Sequence, residues 1–176
     1  TSSVDVASND PASPFTFTVS GTVAAAPPVL YVSQSTGSDS NDGTSWGTAF
    51  ATVQRALQEA TPGAATDIWI ATGIYYPDEG PGLNNDDPAA TFSLVDGIDL
   101  YGGFAGGETD RALRDPVANP TILSGDVDGD DNTSGGPVNS PLDIQGTNAY
   151  TVVTAQTLTG SLTLDGLIIT GGDAQG

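Results

Sequence analysis

Apolar residues recur at three- and four-residue spacing in one stretch of the chain, residues 48–60. Phe50, Val53, Leu57 and Ala60, with Ala56 beside them, make one stripe, and Gln54, Arg55, Gln58 and Glu59 fall on the other face. This spacing predicts an amphipathic helix, with Thr48 placed to cap its start and Thr61-Pro62-Gly63 ending it. The other apolar segments follow the two-residue period of strands or form short apolar runs. Phe15, Phe17, Val19 and Val23 share one face against Thr16, Thr18, Ser20 and Thr22, as in a half-buried strand. Further strands are expected within 29–33, 67–71, 73–77, 91–104, 121–123, 149–155 and 161–170. The Pro- and Asp-rich segment 78–90 has no apolar period and reads as a surface loop, as do 108–119, with room for one helical turn, and 124–140.

A single helix ahead of many short strands is what a stack of strands needs to cover its first open edge. Two decapeptides support a repeat. Leu94-Val95-Asp96-Gly97-Ile98-Asp99-Leu100-Tyr101-Gly102-Gly103 and Thr163-Leu164-Asp165-Gly166-Leu167-Ile168-Ile169-Thr170-Gly171-Gly172 share an Asp-Gly, a short apolar run and a Gly-Gly. Their separation is close to three periods of about 23 residues, within the range of solenoid repeats. The expected fold is therefore all-β, a parallel β-solenoid over residues 29–176 with one N-terminal capping helix and an uncapped last coil. Residues 1–28 read as a separate unit, a detached N-terminal strand on a proline-stiffened linker at 24–28. A lone strand must pair with something: the body of its own chain, a preceding domain, or another subunit by strand addition.

Charge narrows the partners. The chain carries 22 acidic residues against three basic ones, for a net charge of -19, with no His and no Cys. Such a surface excludes nucleic acid as a partner, since nothing neutralises phosphates, and favours salt-rich or divalent surroundings. Without Cys there is no disulfide framework, and without His, Cys or Met soft-metal and haem ligation are ruled out. No apolar run approaches 18 residues, so direct membrane insertion is not expected. The Gly-, Thr-, Asp- and Asn-rich composition suits a secreted, extracellular or cell-surface protein, and a start at Thr1 fits a processed or excised polypeptide.

The acidic loops are the candidate chemistry. Asp126-Val127-Asp128-Gly129-Asp130-Asp131 sets carboxylates at alternate positions around a Gly, as oxygen-only calcium ligation wants, although Pro137 stands where an EF-hand loop carries its closing Glu. Asp126, Asp128, Asp130 and Asp131 are thus candidate ligands for a structural Ca2+, and Asp39 and Asp42 form a second, shorter candidate. A solvated Asp/Asn/Gly turn explains each loop at least as well, the Asp39/Asp42 loop more so. No catalytic residues are assigned: the chain has no Lys to serve as a lyase base, and no His for a Ser-His-Asp site. Asp86-Asp87 and Asp130-Asp131 are carboxylate pairs but lie in loops without such partners. Arg111 and Arg114 are expected to tie down their own loop through Asp110, Asp115 or backbone carbonyls.

The ordered series YVSQSTGSDSNDGTSWGTAFATVQRALQEA, DIWIATGIYYP, LYGGFAGGETDRALRDPVANPTILSGDVDGDD, NAYTVVTA and LTLDGLIITGG resembles the N-terminal part of right-handed parallel β-helix proteins of the pectin-lyase-like superfamily. More narrowly, it is similar to secreted bacterial surface proteins related to polymorphic outer-membrane proteins, and the likeness spans about residues 29–174. Residues 5–23 resemble the last strands of an Ig-like domain. The resemblance implies that Phe50, Val53 and Leu57 cap the helix end and that the strands after them form the first coils; fold alone confers no activity. Two functions follow as expectations. One is a structural subunit associating head to tail with copies of itself, the Phe15, Phe17, Val19, Val23 strand joining an open coil. The other is a piece of a large surface adhesin, with extracellular polysaccharide as a possible ligand. A polysaccharide-degrading enzyme is the least favoured reading.

Overall fold

The computed structural model describes residues 2–6, 15–19, 29–61 and 67–174. Within them lie β1 (Ser2–Val6), β2 (Phe15–Val19), β3 (Val29–Val32), α1 (Val53–Glu59), β4 (Asp67–Ala71), β5 (Gly73–Tyr75), β6 (Phe92–Ser93) and β7 (Asp99–Phe104). β8 (Thr121–Ser124), β9 (Val153–Thr154), β10 (Leu164–Asp165) and β11 (Leu167–Thr170) complete the series. Short 3-10 turns sit at Trp46–Thr48 and Arg111–Leu113.

Three sheets are wholly parallel: β10-β7-β4-β3, β11-β8-β5 and β6-β9. A parallel neighbour can be reached only by a long crossover, so the connections must carry the chain around before each strand is laid on the last. Here β4 leads into β5, β7 into β8 and β10 into β11, each pair stepping from the first sheet to the second. The result is mostly β with one short helix, its strands stacked as in a solenoid.

Strand alternation sorts the side chains. Leu30, Ile68 and Leu100 lie in register and face a common core with Val32, Ile70, Tyr75, Phe92, Ile98 and Leu123. On the other face of the same sheet Tyr31, Trp69 and Tyr101 are in register, and Trp46 and Phe104 pack with them. Trp69 and Phe104 stack at 4.8 Å between centroids with planes 11° apart. Phe104 reaches that position because the register between β4 and β7 shifts after Trp69, so that Ala71 pairs with Phe104. The extra residue is absorbed at Gly103, whose φ of +93° suits glycine and whose α-carbon lies under the Pro116 ring.

The two ends of the stack differ. The outer edge of β3 is covered by the chain from Gly43 to Phe50. Tyr31 N–H donates to Gly43 O (2.8 Å), Phe50 N–H to Tyr31 O (2.9 Å) and Ser33 N–H to Phe50 O (2.9 Å). Helix α1 then buries Val53, Ala56 and Leu57 in the core beside β3 and β6. At the other end, β10 and β11 are outermost among the described strands and leave Leu164, Ile168 and Ile169 37%, 37% and 47% exposed. Two half-exposed isoleucines on one four-residue strand are unlike β8 below, where every residue is buried.

Several expectations change. The N-terminal strand is not single: β2 pairs antiparallel with β1 over five residues, Val6 opposite Phe15 and Ser2 opposite Val19, in a two-stranded sheet of their own. Phe15, Phe17 and Val19 are in that hairpin, and Val23 lies outside the described residues. The helix starts at Val53, and its cap is Thr52, whose Oγ1 accepts the Arg55 N–H, because 45–48 folds as a 3-10 turn and Phe50 is drawn into a bridge with Val32. Gln54, expected on the polar face, is buried and donates its amide to the Pro77 and Thr91 carbonyls. The matched decapeptides stack one level apart rather than three, and out of phase: Asp165 lies beside Tyr101, not Asp96. Long loops at 105–120 and 125–152 set that offset. The 149–155 strand shrinks to Val153–Thr154.

Candidate cation site

After β8 the chain makes a closed acidic turn. Asp126 is only 6% exposed, and its two carboxylate oxygens accept the backbone N–H groups of Asp130 (3.0 Å) and Asp131 (3.2 Å). Gly129, at φ +73° with open space around it, lets the turn close. One carboxylate oxygen each from Asp126, Asp130 and Asp131 then lies within 4.8 Å of the others. The segment 145–148 backs this turn. Asp131 accepts from Gln145 N–H (2.7 Å) and from the Asn148 amide (2.9 Å), and Asp128 accepts from Thr147 N–H (2.7 Å).

Three converging carboxylates with no ammonium or guanidinium beside them among the described residues repel each other. Burial, and next the charge of Asp131, raise the Asp126 carboxyl above its ordinary range. Asp130 is raised by desolvation and by Asp128. A hard divalent cation bound by oxygen ligands relieves this repulsion, and the donor set contains nothing softer. The cluster can hold a metal ion, and Asn148, 5% exposed, braces it from Gly171 O, to which its amide donates at 2.8 Å.

Of the residues singled out from sequence, Asp126, Asp130 and Asp131 come together, while Asp128 turns aside onto Thr147 and Asp130. Asp39 and Asp42 serve the cap region instead. Asp39 accepts the N–H groups of Ala51 and Thr52 and the Thr52 hydroxyl, all at 2.9 Å. Asp42 accepts the N–H (3.0 Å) and hydroxyl (2.8 Å) of Thr44, and those hydrogen bonds lower its carboxyl below the usual range. Val53 and Leu57 of α1, and Phe50 ahead of it, are buried in the core.

Sequence reading missed Asp78 and Tyr76. Asp78 lies in the loop read as surface yet is 2% exposed, and burial raises its carboxyl and that of Glu79. Tyr76 is raised by burial and then by the charges of Asp126, Glu79, Asp131 and Asp78, which places it between the two acidic groups. No local motif marks either residue.

The arginines reach across the stack rather than along their loop. Arg111 lies over the Tyr101 ring (4.2 Å) and 3.5 Å from Asp67. Arg114 donates to Gly102 O (3.2 Å), the carbonyl contact expected, and to Asp165 in the last level. Asp110 and Asp115 instead accept N–H groups of their own loop, from Ala112, Val117 and Ala118. With Trp69, Asp67 and Pro116 the arginines line an open groove of about 590 Å3 on the outer face of the first sheet. Among the described residues no helix is long and apolar enough to cross a membrane. Compared with protein-family models, with curated proteins and with solved structures, the chain matches none.

Proposed function

We propose that residues 29–176 form a right-handed parallel β-helix capped at its N-terminal end, and that the chain is an extracellular structural protein associating end to end. The observation that carries this reading is the difference between the two ends. One edge is covered by 43–50 and α1, while β10 and β11 present Leu164, Ile168 and Ile169 together with strand edges that no other described strand pairs. Burying the exposed part of these three side chains is worth roughly 1 kcal/mol each, and strand hydrogen bonds add geometry. The joining element on the next copy is the β1–β2 hairpin, so donation delivers a preformed pair rather than one strand. A contact between unlike surfaces propagates into a filament unless its rotation closes a ring. At a net charge of -19 such contacts need salt or divalent counterions.

Electron microscopy and sedimentation of the whole chain in calcium-containing buffer test this. Filaments are expected, and Ile168→Asp with Ile169→Asp, or removal of residues 1–23, should leave folded monomers. Monodisperse wild-type monomers at high concentration would sink the proposal. They would favour the second reading, a portion of a large surface adhesin or carbohydrate-binding protein, which draws on the outer groove at Asp67, Trp69 and Arg111. No step in either reading is catalytic.

A further inference from the structure

We propose that the cavity between loop 76–86 and residues 127–129 binds a second divalent cation, with the Asp78 carboxylate as inner ligand and Glu79, Asp86 and Asp128 completing a hydrated shell. The cavity has a volume of about 230 Å3, and Tyr76, Asp78, Glu79, Asn85, Asp86 and Asp128 are in its wall. Four carboxylates therefore line one half-open space. Among the described residues no cation pairs with them: the chain has no Lys or His, and the three arginines pair with Glu59, Asp67 and Asp165.

Acidic walls alone make no site. The independent observation is Asp78 itself. Its side chain is almost wholly buried at 2% exposure, and Oδ2 accepts the Asp86 N–H at 2.8 Å. Oδ1 is buried with no hydrogen-bond partner. An ionised oxygen taken from water and left unpaired is among the costliest arrangements a fold can hold, and a cation in the adjoining cavity removes that cost. The volume suits an ion with part of its water shell, since each water occupies about 30 Å3. Calcium accepts six to eight oxygens at flexible angles, so a site with one buried carboxylate, outer carboxylates and waters meets its needs.

This site is separate from the Asp126, Asp130 and Asp131 cluster but shares its loop. Asp128 and Gly129 are in the cavity wall, while Asp126, Asp130 and Asp131 gather outside it. Two ions, one on each side of the turn, would strap the insertion after β5 to the insertion after β8. The loops of successive levels would then be held together by cations.

Calorimetric titration of the whole chain with CaCl2 decides the matter. Wild type should bind two ions, Asp78→Asn one, Asp126→Asn one, and the double variant none. Should Asp78→Asn fail to fold, Glu79→Gln with Asp86→Asn changes only exposed side chains and should weaken one of the two ions about tenfold. Terbium emission sensitised through Tyr76 should drop with it. Unchanged stoichiometry and affinity in Asp78→Asn, or in the Glu79/Asp86 pair, overturns the second site. One ion in wild type, lost in Asp126→Asn and kept in Asp78→Asn, overturns it while leaving the first cluster standing. No ion at all overturns both.

Discussion

Replacing Tyr75 by Phe should flatten the alkaline limb of this protein's stability curve. Tyr75 is 1% exposed, its hydroxyl donates to Ala71 O at 2.9 Å and accepts the Gln34 N–H at 3.2 Å. Burial pushes the phenol up to about 12, against an unfolded value of about 10. Between those values the folded state keeps a proton that the unfolded state has released. The stabilisation is therefore complete below about pH 10 and disappears as pH rises through about 12. About two pK units correspond to about 2.7 kcal/mol, of which about half is gone by pH 11. Without the hydroxyl, Tyr75→Phe should be about 1–2 kcal/mol less stable than wild type at pH 8, mainly through the Gln34 N–H. Ala71 O keeps a weaker donor in the Thr121 hydroxyl at 3.4 Å. The two curves should then converge and cross near pH 11.

The composition makes this measurement unusually clean. With no Lys, Cys or His, the five tyrosines and the α-amino group are what titrates between the carboxylates and the arginines. Burial also raises Tyr76 and Tyr101, but both contribute equally to wild type and variant. Urea unfolding followed by tryptophan fluorescence from pH 8 to pH 11.5 gives the stability difference. Absorbance of the phenolate identifies the late-titrating ring by its loss in the variant. Parallel curves across the whole range would refute the reasoning.

Two further substitutions probe the capped end. Asp39→Ala removes the acceptor for Ala51 N–H, Thr52 N–H and the Thr52 hydroxyl. It should cost about 2–4 kcal/mol in thermal or urea unfolding; a loss of calcium binding without a loss of stability would return Asp39 to the role of metal ligand. Gly37→Ala places a Cβ 2.5 Å from Ser33 O and closer still to the Phe50 carbonyl. A collision with backbone on both sides should destabilise by about 3 kcal/mol, and unchanged melting would show that the turn before α1 is free to shift.

Strands made of β-branched and aromatic runs were legible from their local pattern: 67–71 appears at its expected bounds as β4, and 29–33 and 121–123 within one residue. The acidic loop was legible for the same local reason, carboxylates alternating around a glycine. What escaped depends on distant chain. Thr48 and Thr52 are equally good caps by sequence, and the choice is made by Phe50, which β3 recruits to cover its edge. Gln54 and Asp78 look like surface residues until loop 77–91 folds over them. Stacking phase also escaped, because Asp-Gly and Gly-Gly mark similar turns but loop lengths decide which turns lie above one another.

The closed edge lies early in the chain, and this position gives folding a direction. Each parallel strand finds its partner only across a long loop, so no level of the stack can nucleate cheaply by itself. The segment 29–61 instead completes its own edge from nearby residues, leaving β3 as the first ready template. β4 can then settle on β3, β7 on β4 and β10 on β7, in the sequence in which they emerge from a ribosome. A chain delivered from its N-terminus would thus grow like a zipper, each newly arrived strand meeting a surface already made.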